Sequence, residues 1–365
     1  MALPDQVFRQ TLATFLEPIA ELLADPSVSE IMINGPNEVY IERKGRLSLV
    51  SHRFPDEDRL MAAVKNIAQF VGRPIDRFHP ALDGRLPDGS RIHVLLPPAS
   101  RKGVVVSIRK FFNDALDLEA LLKHGSLTPA SASFLHGCVN MGKNILISGG
   151  TGSGKTSLLN VLSGMIAPGE RMIVIEDATE LQLRQPHVLS FETQHADSQG
   201  RGALTMRDLF RSAMRLRPDR VVLGEIRGGE AVDVIQAMTS GHAGSMSTIH
   251  ASTAFDALQR LETLALMGGL DIPQRVLRSQ IASAIDVVIQ VARLKDGSRR
   301  VMTISEVVDL SSEGQYVVSD LFNFVVQSHT PTQISGQLLP EPTHPSFLDD
   351  LLLIQDSLPS RLPWQ

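Results

Sequence analysis

Asn144–Leu159 read NILISGGTGSGKTSLL: an apolar run, a glycine-rich turn and the start of a helical pattern in immediate succession. The turn fits GxxxxGK[ST] from Gly149 to Thr156, and the flanking strand and helix are the context in which that spacing cradles phosphate. Gly149, Gly150, Gly152 and Gly154, with Thr151 and Ser153 between them, free the backbone to turn its N–H groups inward. The N-terminus of the following helix adds a field that favours anions. Lys155 is then expected to reach the β- and γ-phosphates of ATP, Thr156 to ligate Mg²⁺, and Ser157 to close the loop. A glycine-rich turn that binds nothing is the competing interpretation, and the agreement of strand, loop and helix weighs against it.

Phosphoryl transfer also needs a positioned nucleophile and neutralised charge. Two more apolar runs end in carboxylates: RMIVIED places Glu176 and Asp177, and RVVLGE places Glu225. Each stands at a strand's C-terminal end, the side on which parallel sheets bind ligands. Glu176 and Glu225 are therefore both candidates for activating water, while Asp177 and Glu180 are read as turn caps. Gly224 occupies the usual position of a Mg²⁺-binding aspartate, so the metal is expected on Thr156 and, through water, on Glu225. The stretch TSGHAGSMSTIHA brings His242 and His250. A metal pair is rejected there, because Cys138 is the only thiol and no third ligand stands at suitable spacing. His250, ending an apparent strand, is read as a sensor of the γ-phosphate.

Outward from this core, apolar strands at Ile145–Ser148, Met172–Glu176 and Val221–Gly224 alternate with amphipathic helical patterns, which predicts a largely parallel, helix-covered sheet. The expected class is α/β, with a nucleotide-binding domain over 118–327 and a smaller α+β domain over 1–112. In the smaller domain, Val7–Leu23 predicts one kinked helix or two short ones around Pro18. Strand-like runs follow at Ile31–Ile33, Val39–Ile41, Leu82–Leu96 and Val104–Ile108, with turns at Asp83-Gly84 and Pro87-Asp88-Gly89. Asn113–Asp117 is read as the linker. Residues 328–365 are read as a weakly patterned tail with a short helix near Phe347–Ile354.

Composition narrows the function. The chain has 365 residues, 43% hydrophobic and 21% charged, the balance of a globular protein with room for two cores. A net charge of −5 supplies no global positive field, so nucleic acid is not the expected partner. A lone Cys138 excludes an internal disulfide and is read as a small buried residue. MALPDQVFRQ lacks a basic segment followed by an apolar core, and no run is long and apolar enough to span a bilayer. A cytoplasmic protein that touches the membrane through partners is expected.

In order, GGTGSGKTS, VIEDATEL, RLRPDRVVLGEIRGGEAVD and SGHAGSMSTIHA resemble the Walker A, Asp box, Walker B and His box of the type II/type IV secretion ATPase superfamily. LDGRLPDGSRIHVLLPP, VSIRKF, AMTSGHAGSMSTIHA and LKDGSRRVMTISEVVDL look most like its CpaF/TadA branch, which powers Tad pilus assembly. The resemblance runs from about Pro26 to Phe324. It implies a RecA-like C-terminal domain, a smaller N-terminal domain on a flexible linker, and a homo-hexameric ring with ATP at the interdomain cleft. It also implies an inner-membrane platform protein as partner. By similarity, Arg85 and Arg91, with Arg109 as a further candidate, become the N-terminal-domain arginines that reach over the nucleotide; guanidinium groups suit the dispersed charge of phosphoryl transfer. Arg211, Arg215 and Arg217 are expected on a helix facing a neighbouring subunit. Ser157 replaces the second threonine of many members, the N-terminal extension common in CpaF-like proteins is shorter here, and the tetracysteine zinc site of the type II branch is missing. The expected function is an ATP-hydrolysing motor for pilus assembly or protein secretion. A type IV secretion or conjugation ATPase is the nearest alternative, followed by a retraction motor, a nucleotide-gated scaffold without turnover and a small-molecule kinase.

Overall fold

The computed structural model describes residues 11–43, 45–110, 116–194, 196, 200–269, 271–330 and 333–364. It divides into two compact units, the first over Met1–Asp114 and Ala196–Arg201 and the second over Ala115–His195 and Gly202–Gln365. The expected linker residues 113–115, and residues 7–10 of the expected first helix, lie outside the described residues.

The first unit is an antiparallel sheet of β1 (Val28–Asn34), β2 (Val39–Arg43), β3 (Arg46–Val50), β4 (Ala81–Arg85), β5 (Arg91–Leu95) and β6 (Val105–Arg109), in the order β3-β2-β1-β6-β5-β4. The helix Glu57–Val71 buries Leu60, Ala63, Val64, Ile67 and Ala68 in its core, is capped by the Asp56 carboxylate accepting from Arg59 N, and stops at Gly72 with φ 72°. Around Pro18 the chain forms a 3₁₀ turn, Glu17–Ile19, and a short helix, Ala20–Ala24, rather than one long helix; a proline removes the N–H that a continuous helix needs. The run Leu82–Leu96 is a hairpin of two strands turning at Leu86–Ser90, where Asp88 accepts from the Ser90 N–H and Gly89 takes φ 88°. The expected turn at Asp83-Gly84 is instead inside β4. Glycine is needed there because a Cβ would lie 2.5 Å from a Val71 methyl of the covering helix.

The second unit holds β7 (Ile145–Gly149), β8 (Met172–Glu176), β9 (Val188–Glu192), β10 (Arg220–Leu223), β11 (Met246–Ile249), β12 (Val287–Arg293), β13 (Arg299–Leu310), β14 (Tyr316–His329) and β15 (Ile334–Pro340). Their order is β15-β14-β13-β12-β7-β11-β10-β8-β9. Pairings from β12 to β9 are parallel, and those from β12 to β15 antiparallel. Alternation sorts side chains between two cores, as period-2 geometry requires. Ile145, Ile147, Val174, Val222 and Ile289 join the helices Pro129–Asn140 and Lys155–Ser163 on one face. Leu146, Ile173, Ile175, Val221 and Val288 meet Met206–Ala213, Glu230–Thr239, Ala254–Met267 and Gln274–Ala284 on the other. The whole is the expected α/β architecture: a RecA-like, P-loop domain with a smaller α+β domain before it.

The segment read as a tail belongs to this domain. Residues 328–329 complete β14 and Ile334–Pro340 form β15, and the helix Leu348–Leu353 buries Leu351 against Gly137, whose Cβ would stand 2.5 Å from a Leu351 methyl. Trp364 packs edge-on to Phe134 and Phe322, with centroids 5.7 and 5.3 Å away, and donates Nε1–H to the Glu341 carbonyl. Cys138 is fully buried in the same core, and burial pushes its thiol pKa up.

Candidate functional site

The loop between β7 and the helix Lys155–Ser163 has the strained backbone that its glycines permit. Gly152 and Gly154 take φ 69° and 99°, in the left-handed region that side chains avoid. Gly149 is required for another reason: a Cβ there would lie 2.4 Å from the Val291 carbonyl of β12 and 2.6 Å from Ser153 Oγ. Ser153 Oγ donates to the Gly150 carbonyl at 2.8 Å. Lys155 is buried and curls back over the loop, its ammonium donating to the carbonyls of Gly149 at 3.0 Å and Gly150 at 3.1 Å. Thr156 and Ser157 open the helix beside it. A glycine cradle at a helix N-terminus with a buried ammonium fits a nucleotide's phosphates.

Around Lys155 a chain of polar contacts crosses the sheet in strand order. Lys155 Nζ lies 3.4 Å from His250 Nδ1, just past β11. His250 Nε2 lies 2.9 Å from Glu225 Oε1, past β10. The other Glu225 oxygen accepts from Arg227 Nη2 at 2.7 Å, and Arg227 Nη1 reaches Asp177 Oδ2, past β8, at 2.6 Å. An imidazole between an ammonium donor and a carboxylate acceptor is assigned the tautomer with its proton on Nε2. Burial holds the His250 pKa below its usual range. Glu225 opposes that shift, and the cations Lys155, Arg227 and Arg260 add to it. The imidazole is therefore neutral at neutral pH, able to accept from Lys155 and donate to Glu225.

Glu225 is fixed by its neighbours. Thr248 Oγ1 donates to the Gly224 carbonyl at 2.6 Å, and Ile226 N–H donates to the Thr248 carbonyl at 2.9 Å. The Glu230 carboxylate accepts from the N–H groups of Arg227 and Gly228, setting the turn that aims Arg227. The two carboxylates left open by the sequence have different surroundings. Glu176 is 3% exposed, and its Oε1 accepts from the N–H groups of Glu180 at 2.9 Å and Leu181 at 3.1 Å. It thus ties down the loop after β8. It also explains the missing aspartate of β10, since a Cβ on Gly224 would stand 3.0 Å from Glu176 Cγ.

Other expected residues lie elsewhere. His242 precedes β11, at the opposite end of that strand from His250, so the two histidines are not one site. Gly244, also before β11, is a packing glycine, because a Cβ would overlap the buried Arg220 guanidinium. The helix carrying Arg211 ends at Ala213, so Arg215 and Arg217 are not on it, and Arg211 Nε pairs with Asp233 at 2.9 Å rather than pointing away unengaged. In the first unit, Arg85 is paired across β4–β5 with Arg91, and Arg91 across β5–β6 with Arg109. Three cationic residues thus stand in one cross-strand row. Arg227 was not singled out from the sequence; the only signal was a cation two residues beyond the strand-end glutamate. Among the described residues, no group of three or more His, Cys, Asp or Glu side chains is placed to hold a metal. Likewise none of their helices is long and apolar enough to cross a membrane.

The family described as Type II/IV secretion system protein matches residues 13–323. The chain belongs to this family. It is 35% identical over 318 residues to the type IV secretion system protein VirB11 of Bartonella quintana, covering 77% of this chain and 89% of that one. It is 33% identical over 281 residues to the conjugal transfer protein TrbB of Rhizobium radiobacter, covering 76% and 83%. Its fold is also that of the Legionella pneumophila ATPase DotB, with a TM-score of 0.55, 17% identity and coverage of 84% of this chain and 80% of that one. The superfamily resemblance read from the four motifs is thus established.

Proposed function

We propose that this protein is an ATP-hydrolysing motor of a type IV secretion or conjugation machine, working as a homo-hexamer on an inner-membrane partner. The observation that carries the proposal is the contact chain from Lys155 through His250, Glu225 and Arg227 to Asp177. It joins the phosphate-loop lysine to a partly exposed carboxylate at the end of the neighbouring strands. Names of the similar proteins favour secretion and conjugation over the Tad pilus assembly that motif detail suggested.

The proposed roles follow from the surroundings. Gly149–Thr156 wraps the phosphates, Lys155 offsets their charge, and Ser157 supports the turn. Mg²⁺, when bound, would screen the phosphate oxygens, with Thr156 as a direct ligand and Glu225 reaching it through water. Glu225 is the preferred base: it is aimed by Thr248, and each of its oxygens keeps a lone pair beyond the donors it already has. Glu176 is a positioning residue, since its carboxylate is spent on backbone N–H groups. His250 holds Glu225 in place and registers the charge near Lys155. Arg85 and Arg91, with Arg109 in the same row, are proposed to supply the cationic charge that the resemblance assigns to the first unit.

Steady-state phosphate release from the purified full chain with Mg²⁺ and ATP tests this reading. Turnover that disappears in Lys155→Ala is expected; ATP binding without phosphate release would favour the scaffold. Neighbouring genes for a relaxase or for a prepilin would separate conjugation from pilus assembly.

A further inference from the structure

Arg299, the first residue of β13, lies against the outer wall of the phosphate loop. Its Nε donates to the Gly152 carbonyl at 2.8 Å, and its Cδ stands 3.4 Å from the position of a Cβ on Gly154. The residue is itself well anchored. Its carbonyl accepts from Ser126 Oγ at 2.9 Å, and the adjacent Arg300 donates Nη1–H to the His124 carbonyl at 2.5 Å. The hairpin behind it is pinned by Asp296, which accepts from Ser298 and from the Ile334 N–H. Arg293, directly opposite Arg299 in the β12–β13 pairing, also comes within 3.7 Å of the Cβ position on Gly152.

The consequence lies in the next peptide group. A trans peptide is planar, with its C=O and N–H pointing in opposite directions. Holding the Gly152 carbonyl toward Arg299 therefore turns the Ser153 N–H away from Arg299, into the turn. There the donor meets only the Gly150 carbonyl among backbone partners, at a long 3.4 Å. Such a bond is weak and readily exchanged for an anionic acceptor.

We propose that Arg299 is a positioning residue for nucleotide binding: from outside the loop it fixes the Gly152–Ser153 peptide so that the Ser153 N–H faces a bound phosphate. This rests on the phosphate-loop reading above and adds a residue that the GxxxxGK[ST] pattern does not contain. Arg299 does not touch the reacting atoms, so its loss weakens binding and leaves the chemical step largely intact.

Isothermal titration of the full-length chain with Mg²⁺-ATP and Mg²⁺-ADP tests the proposal, using R299M, R299Q and R299K. Methionine keeps the packing and removes the donor, so R299M is expected to bind both nucleotides about tenfold more weakly, the scale of one charged hydrogen bond. R299Q should weaken binding about fivefold or more, and R299K, which retains a donor, should stay within about threefold of the wild type. In wild type and variants alike kcat should agree within about twofold, and amide exchange at Ser153 should speed up in R299M. A purely structural role would lower the melting temperature with affinity unchanged. Binding by R299M within about twofold of the wild type, or by R299Q if R299M does not fold, overturns the proposal. A wild-type chain that binds neither nucleotide would instead overturn the phosphate-loop reading itself.

Discussion

Replacing Glu225 by glutamine removes one charge and no volume, which makes it the sharpest probe of the proposed chemistry. Glu225 accepts from His250 at 2.9 Å and from Arg227 at 2.7 Å, and no contact ties its side chain to the backbone of the phosphate loop. Glutamine retains one acceptor for either donor, so folding and ATP affinity should be little altered, the latter within about threefold. Proton abstraction by a positioned base contributes about 10²–10⁴ in rate, equivalent to about 2.7–5.5 kcal/mol of barrier. Phosphate release by Glu225→Gln should therefore fall at least about a hundredfold under saturating ATP. The contrasting variant is Glu176→Ala. It strips two backbone N–H groups of a buried acceptor, a loss of about 3 kcal/mol, which for a domain of this size lowers Tm by about 6–12 °C. Coupled enzymatic detection of phosphate, alongside calorimetric melting, reads both. Undiminished turnover in Glu225→Gln, or turnover abolished in Glu176→Gln with its Tm unchanged, would refute the assignment of roles.

Further outcomes follow from other parts of the site and core. The folded-state pKa of His250 lies below its unfolded value near 6.5, so its contribution is fully present above that pH and is lost as pH falls toward the folded pKa. Turnover should hold at pH 6.5 and drop only as pH falls through the lowered folded-state pKa, where a charged imidazole no longer accepts from Lys155, and His250→Gln should flatten that limb of the pH profile. Gly149→Ala forces a Cβ to within 2.4 Å of the Val291 carbonyl and should abolish ATP binding in a filter or calorimetric assay. Leu351→Ala should cost about 2–5 kcal/mol, read through the fluorescence of Trp364, the single tryptophan, which shares its core.

What the sequence could reveal depended on whether a residue's role is local. The phosphate loop is legible because strand, glycines and helix are contiguous, and Glu225 and His250 because each ends an apolar run. The proposed division of labour between Glu176 and Glu225 is not legible, since it rests on the Glu176 side chain folding back onto amides four and five residues later. Gly224 looked like a defect and is instead the space that Glu176 fills. Asp83-Gly84 has turn composition, yet its glycine serves a close approach to Val71, a tertiary fact. β14 and β15 are not legible because exposed apolar residues, among them Val317, Val325, Val326 and Leu339, stand beside the exposed polar ones, which blurs alternation. The C-terminal helix packs on Gly137, more than two hundred residues earlier in the chain, a relation no window of sequence contains.

The most direct test is the rate at which the purified full-length chain releases phosphate from ATP in the presence of Mg²⁺, compared with Lys155→Ala. Sustained turnover in the wild type that is lost with the ammonium is the expected result. ATP retained intact by the wild-type chain, or turnover indifferent to Lys155, would contradict a motor built on this loop.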